Sequence, residues 1–182
     1  MTVTLRDATI EDAPGIAAVH VEGWQTTYRG LLPDSYLDSL TVPARAEFWT
    51  RPLTTRPTGW HMLVAEKDDA IVGFACGSAE WGEPRPGCDG HVNAIYVLSE
   101  LRGRGIGTQL LAALFRKLAE DGRSSISLWV LEGNAASEAF YKARGAEELM
   151  RAEKPGPEKP VPEIALGWSK PAIERVIAMR AA

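Results

Sequence analysis

Residues 91–120 carry three patterns in immediate succession. His91 to Leu98 reads as a strand, and its centre, Ala94-Ile-Tyr-Val-Leu98, is continuously apolar, which predicts burial on both faces. Gly105 to Glu120 reads as a helix, because Leu110, Leu111, Leu114, Phe115 and Leu118 recur at i, i+1, i+4, i+5 and i+8 and make one apolar stripe. Between them stands Leu101-Arg-Gly-Arg-Gly-Ile-Gly-Thr108, with glycine at every second position from 103 to 107. A buried strand, a tight turn and an amphipathic helix make a βα unit. Such a unit calls for a layered α/β or α+β domain with a mixed sheet.

The flanking sequence continues the alternation. Val3 to Arg6 reads as a first strand, and Thr9 with Asp12 forms a variant capping box. The helix that follows carries Ile16, Val19, His20 and Gly23 to about Trp24, with Pro14 acceptable only near its start. Gln25 to Asp34 is irregular, aromatic and basic. Pro33-Asp34 starts a short helix, and Pro43 starts another through about Trp49. Gly59 to Glu66 and Ala70 to Ser78, joined at Lys67-Asp68-Asp69, read as a β-hairpin, and Trp81 to Gly90 as a glycine- and proline-rich loop. Beyond the central helix, Ser125 to Leu131 is a strand, and Asn134 to about Arg144 is a helix closed by Gly145. Ala146 to Ala152 is a strand, Glu153 to Pro162 an extended loop with four prolines, and Glu163 to Trp168 a last strand. Ser169 before Pro171 opens a final helix with Ile173, Val176 and Ile177 on one face, suited to docking on its own sheet or on a second subunit.

The chain has 182 residues, which fits one domain at the usual allowance of about 100–200 residues. We expect residues 1–182 to form a single domain, with a core over about 3–168 and a helical extension over 169–182. A net charge of −4 argues against duplex binding by bulk electrostatics, so no nucleic-acid partner is expected. Cys76 and Cys88 form no metal-binding pattern and read as thiols in or near strands of a reduced protein, with no metal implied. The longest largely apolar stretch, Ala70 to Ala79, is about half the roughly 20 residues a membrane span needs. The start lacks a signal-peptide pattern, so the expected compartment is the cytoplasm, with no membrane partner.

The chemistry lies in the glycine turn. Gly103, Gly105 and Gly107 allow a sharp bend and remove the Cβ atoms that would hold a ligand away from backbone N–H groups. The helix start presents unpaired donors and a partial positive charge, and Arg102 and Arg104 add two cations, so the segment is an anion cradle suited to phosphate. A P-loop is excluded, because no lysine precedes Thr108. The Rossmann fingerprint fails too, because the third glycine would fall on Thr108 or Leu110.

What fits is Arg-x-x-Gly-x-Gly at Arg102, Gly105 and Gly107. This motif resembles the acetyl-CoA pyrophosphate loop of the GNAT superfamily of N-acetyltransferases. The resemblance covers about Thr4 to Trp168. Ile95-Tyr-Val-Leu-Ser-Glu-Leu-Arg102 is similar to the family's fourth strand and its exit, although Ser99 stands where many members have proline. Leu128-Trp-Val-Leu-Glu-Gly-Asn134 is similar to the fifth strand, and Ala139-Phe-Tyr-Lys-Ala-Arg-Gly145 to the helix after it. The resemblance implies a central, mixed, mostly antiparallel twisted sheet of about six to seven strands flanked by helices. It implies acetyl transfer from acetyl-CoA to a primary amine, by direct attack in a ternary complex.

By the same resemblance, Ile95, Tyr96, Val97, Arg102, Gly103, Arg104, Gly105, Ile106, Gly107, Thr108, Asn134 and Tyr141 would hold the cosubstrate. Asn134 would bond the pantetheine arm, Tyr141 would protonate the departing thiolate, and a backbone N–H near Tyr96 would meet the oxyanion. Asn134 and Tyr141 are seven residues apart, which on a helix is one face and about 10 Å. Asn134 also suits a plain helix cap, and Tyr141 a core aromatic beside Phe140.

An alkylammonium needs a proton acceptor at neutral pH. His91 and Glu80 are the candidate bases, with Asn93 nearby on the strand. The family's acceptor pocket borders the segment after the first helix, here Trp24, Tyr28 and Arg29. Trp81, Glu83 and Arg85 are candidate rim residues. The expected acceptor is a small-molecule amine. A protein or peptide amine is the alternative, as is a catalytically silent CoA-binding regulatory module, which the presence of Tyr141 disfavours. A homodimer is the expected assembly.

Overall fold

A computed structural model describes residues 3–79 and 86–179. One seven-stranded sheet organises them, in the order β1-β2-β3-β4-β5-β7-β6. The strands are β1 (Thr4–Asp7), β2 (His61–Lys67), β3 (Ala70–Ala79), β4 (Gly90–Val97), β5 (Ser125–Leu131), β6 (Glu147–Lys154) and β7 (Val161–Ser169). The helices are α1 (Ala13–Thr27), α2 (Asp34–Ser39), α3 (Val42–Thr55), α4 (Ile106–Glu120), α5 (Ala135–Lys142) and α6 (Lys170–Ala178). Only β4 and β5 are parallel, because α4 carries the chain back across the sheet between them. The mixed, mostly antiparallel architecture expected from the sequence is the one observed.

Each face of the sheet is covered. The α4 stripe (Leu110, Leu111, Leu114, Phe115 and Leu118) is withdrawn from solvent against β2, β3 and β4. Each such side chain contributes about 1.5–3 kcal/mol of burial. Helix α6 lies beside α4 and buries Ala172, Ile173 and Val176 there, so its apolar stripe is used within the chain. On the opposite face α1 and α3 cover Val64, Phe74 and Cys76. Arg6 fixes the entry to α1 by a two-pronged bond to Asp12 (2.7 and 2.8 Å), whose carboxylate also accepts the Thr9 backbone N–H at 2.7 Å. Among the described residues no helix is long and apolar enough to cross a membrane.

Several boundaries differ from the sequence reading. Helix α1 continues to Thr27, three residues past Trp24, and so brings the Trp24 ring onto a rigid element. Helix α3 does not stop near Trp49. It runs to Thr55 with Pro52 inside, because Trp49 and Leu53 share one buried face. The proline-rich loop after β6 is shorter than expected. Pro162 is exposed on β7, where a missing N–H costs little, so the β6–β7 hairpin extends to the pair Lys154–Val161.

The finest difference concerns β4: both faces of the run are packed, Ile95 and Val97 toward α4 and Ala94 and Tyr96 toward α1, yet the strand is not sealed beyond Val92. Strands β4 and β5 pair only at Gly90–Ile126 and His91–Ser127, after which they diverge. The register against β3 skips Asn93, a bulge that bends β4 at this point. Residues 93–97 are therefore only partly buried, and the second edge of β4 lies open along a wedge between the two strands.

Candidate active site

The glycine turn opens onto the wedge. Gly103 and Gly105 have φ of 76° and 79°, a region that disfavours any side chain. A Cβ at Gly103 would meet nothing within 4 Å, so this bend faces open space. At Gly107 a Cβ would stand 3.3 Å from the Phe140 ring, so glycine there allows α5 to close on α4. The first bond of α4 runs from Gln109 N–H to the Gly105 carbonyl at 3.0 Å, which leaves the N–H groups of Ile106, Gly107 and Thr108 without a partner inside the helix.

The two arginines of the turn differ. Arg104 is exposed and bonds to no described residue. Arg102 donates to the Val97 carbonyl (3.2 Å) and to the hydroxyls of Thr26 (2.9 Å) and Thr27 (3.3 Å), tying β4 to the end of α1. Thr108 is held through its side chain, whose hydroxyl accepts from Arg144 at 2.6 and 3.0 Å. Arg144 also lies 3.7 Å over the Phe140 ring, so it fastens the start of α4 to the end of α5.

Asn134 is the cap of α5. Its Oδ1 accepts from Ser137 N–H at 3.2 Å, and its amide N–H groups bond to no described residue. Tyr141 sits two turns on, only 8% exposed, edge-on to Phe140 and Trp168. Burial, and then the Tyr28 phenol, raise its pKa while Arg144 opposes, so the Tyr141 phenol stays protonated and uncharged. Tyr96 points to the α1 face, stacked 5.3 Å from His20, and its hydroxyl bonds Tyr28 at 3.1 Å. Gly23 makes this possible, because a Cβ there would come within 2.6 Å of the Tyr96 ring.

Across the wedge is a cleft of about 360 Å³. Trp24, Tyr28, Leu32 and Tyr36 form one wall, and Trp129, Leu131, Val161 and Glu163 the other, closed by the loop at Pro155–Pro157. Trp24 and Tyr28, the candidate acceptor residues of the sequence, thus line one cleft. Arg29 does not line the cleft; its guanidinium is bonded to Asp34 (3.2 Å) and Asp38 (2.8 Å), which pins the segment to α2. Glu80, Trp81, Glu83 and Arg85 lie outside the described residues.

His91 is buried between β4 and β5, with Nδ1 3.0 Å from the Ser127 hydroxyl. Burial, with the nearby Lys154 cation, lowers its pKa to about 4, so it is neutral at pH 7 and a weak proton acceptor. The Asn93 amide oxygen accepts from the Ser78 hydroxyl at 3.2 Å. Cys76 is fully buried, with its thiol pushed up to about 12, and is chemically inert.

Sequence reasoning missed Arg144 and Glu163. Arg144 sits beside Gly145 and was hidden by the helix-stop signal. Glu163 alternates with the buried Ile164, Leu166 and Trp168, and that period of two was enough to place it on the cleft side of β7.

The Acetyltransferase (GNAT) family profile matches residues 24–146. The chain is 34% identical over 166 residues to the uncharacterized N-acetyltransferase YuaI of Bacillus subtilis (strain 168), spanning 91% of this chain and 92% of that one. It is 32% identical over 150 residues to the L-methionine sulfoximine/L-methionine sulfone acetyltransferase of Pseudomonas aeruginosa, spanning 81% of each. In fold it is similar to the PaiA N-acetyltransferase of Thermoplasma acidophilum, solved with coenzyme A. The TM-score is 0.74 at 19% identity, over 93% of this chain and 99% of that one. With the open wedge, the glycine turn at the start of α4 and these relationships together, the chain belongs to the GNAT family and is an N-acetyltransferase.

Proposed function

We propose that the enzyme transfers acetyl from acetyl-CoA to the primary amine of a small molecule, by direct attack within a ternary complex. The observation that carries this reading is the wedge between β4 and β5, with an anion cradle at one end and an aromatic cleft across it. The free N–H groups of Ile106, Gly107 and Thr108, with Arg104, take the pyrophosphate. The open edge of β4 over Ile95–Val97 and the unused amide donors of Asn134 bind the arm. A backbone N–H of β4 near Tyr96 meets the oxyanion, and Tyr141 protonates the leaving thiolate. Arg102 acts through position, by holding β4 and α1 on either side of the gap.

A cleft of about 360 Å³ suits a small acceptor better than a polypeptide. The Pseudomonas relative, by its name, acts on small amino compounds, in keeping with this. Two measurements test the reading. Titration calorimetry should show coenzyme A binding, and free-thiol release from acetyl-CoA should depend on an added amine. Absence of binding at millimolar coenzyme A would overturn the proposal. Binding without thiol release, across amines of several classes, would make the chain a silent CoA-binding module.

A further inference from the structure

The cleft wall formed by β5 and β7 carries one ionisable side chain, Glu163. It is partly buried, and its backbone is paired between Leu131 and Ala152. Among the described residues lining the cleft, the other titratable groups are the phenols of Tyr28 and Tyr36. Burial raises the Glu163 carboxyl above the usual carboxylate range, and the nearby Lys154 cation draws it back.

Lys154 adds a second, independent observation. Its ammonium stands 3.9 Å from the centre of the Trp129 ring, and Trp129 lines the same wall. The Trp129 ring on this wall therefore already bears on one alkylammonium, supplied by the chain itself. Aromatic faces beside a half-desolvated carboxylate favour a cation on an apolar body. An anion would meet Glu163 with no lining cation to offset it among the described residues.

We infer that Glu163 determines acceptor choice: its carboxylate receives the acceptor's ammonium, which gives up one proton to solvent before the freed amine attacks, while Trp24, Tyr28 and Trp129 bear on a hydrocarbon or aromatic frame. The acceptors are thus cationic amines on an apolar body, and the nearby Lys154 cation weakens their attraction to the carboxylate. This rests on the reading of the cleft as the acceptor side.

The test uses the full-length protein with phenethylamine and tryptamine as acceptors, and the matching alcohols as uncharged competitors. Glu163→Gln should raise KM for both amines about ten- to a hundredfold, as expected for a lost charged hydrogen bond. Its kcat should stay within about threefold, with unchanged coenzyme A affinity by calorimetry and an unchanged thermal midpoint. Lys154→Met should lower KM by removing the cation that offsets the carboxylate's charge. The alcohols should bind the unaltered enzyme at least tenfold more weakly than the amines, and this gap should close in Glu163→Gln.

An unchanged KM in Glu163→Gln, a loss confined to kcat, an unchanged or raised KM in Lys154→Met, or alcohols binding as tightly as amines would each overturn the inference. So would failure of the unaltered enzyme to acetylate either amine. The transfer reading itself falls only if amino acids and polyamines also release no thiol.

Discussion

Acidification from pH 7 to pH 5 is expected to weaken the fold by about 4 kcal/mol, through His20 and His91. His20 sits in an aromatic nest on α1, where burial and the Arg45 cation lower its pKa to about 3. Its Nδ1 accepts a hydrogen bond from the Trp49 indole at 2.9 Å, so protonation there would set two donors against each other. His91, at about 4, is buried between β4 and β5 with Lys154 nearby. Both folded values lie below the unfolded value of 6.5. The unfolded chain therefore binds more protons throughout the window from 6.5 downwards, and stability falls as pH falls.

At about 1.36 kcal/mol per pKa unit, each histidine costs about 1.9 kcal/mol between pH 7 and pH 5. Carboxylates held low, such as Asp12 and Asp89, start to contribute only below their ordinary range near 4. Glu163, held high, works in the opposite sense. Four kcal/mol is a large share of the roughly 5–15 available to a domain and should lower the midpoint by about 8–16 °C. Urea titrations at pH 7, 6 and 5 measure this directly, and the double variant His20→Gln/His91→Gln should flatten the dependence whatever its absolute stability. A flat profile in the unaltered protein, or an equally steep one in the double variant, would refute the reasoning.

Tyr141→Phe keeps the ring and removes the acid. Thiol release should fall by about 10²–10³-fold while calorimetry finds the same coenzyme A affinity. Gly23→Ala gains about 1 kcal/mol of helix propensity but forces a methyl to 2.6 Å from the Tyr96 ring. Since overpacking costs about 1–3 kcal/mol, urea midpoints should show a net loss of about 0–2 kcal/mol, with a raised acceptor KM as the Tyr28–Tyr96 bond shifts. The β2–β3 turn holds Asp68 and Asp69 at φ of 51° and 63°. Asp69→Gly relieves one of these and should stabilise the fold by about 0.5 kcal/mol, read as a rise of about 1–2 °C in thermal midpoint.

The strand, turn and helix over residues 91–120 were legible because each obeys a local rule: an apolar run, alternating glycines, a stripe at helical spacing. What the sequence concealed depends on separation rather than contact. The half-burial of residues 93–97 follows from β5 leaving β4 after two pairs, and no local pattern in either strand encodes divergence. Arg102 and Arg104 look equivalent in a string of letters. Only the approach of Thr26 and Thr27, more than seventy positions away, makes one a clamp and leaves the other free. Arg29 reads as a cation for a ligand until Asp34 and Asp38 are folded beside it. Pro52 suggests a helix end, yet Trp49 and Leu53 bury enough surface to carry α3 past it.

The two-pair junction between Gly90–His91 and Ile126–Ser127 also means that the sheet is two half-sheets hinged at one end, with α4 spanning them. The free edge of β4 offers amide and carbonyl groups to whatever occupies the gap, so an extended ligand with amides of its own completes a ladder the polypeptide leaves unfinished. Occupancy and rigidity are then linked. Saturating donor should slow hydrogen exchange at Ile95 and Val97 more than anywhere on β1 or β6, and the empty protein should breathe along this seam before it melts elsewhere.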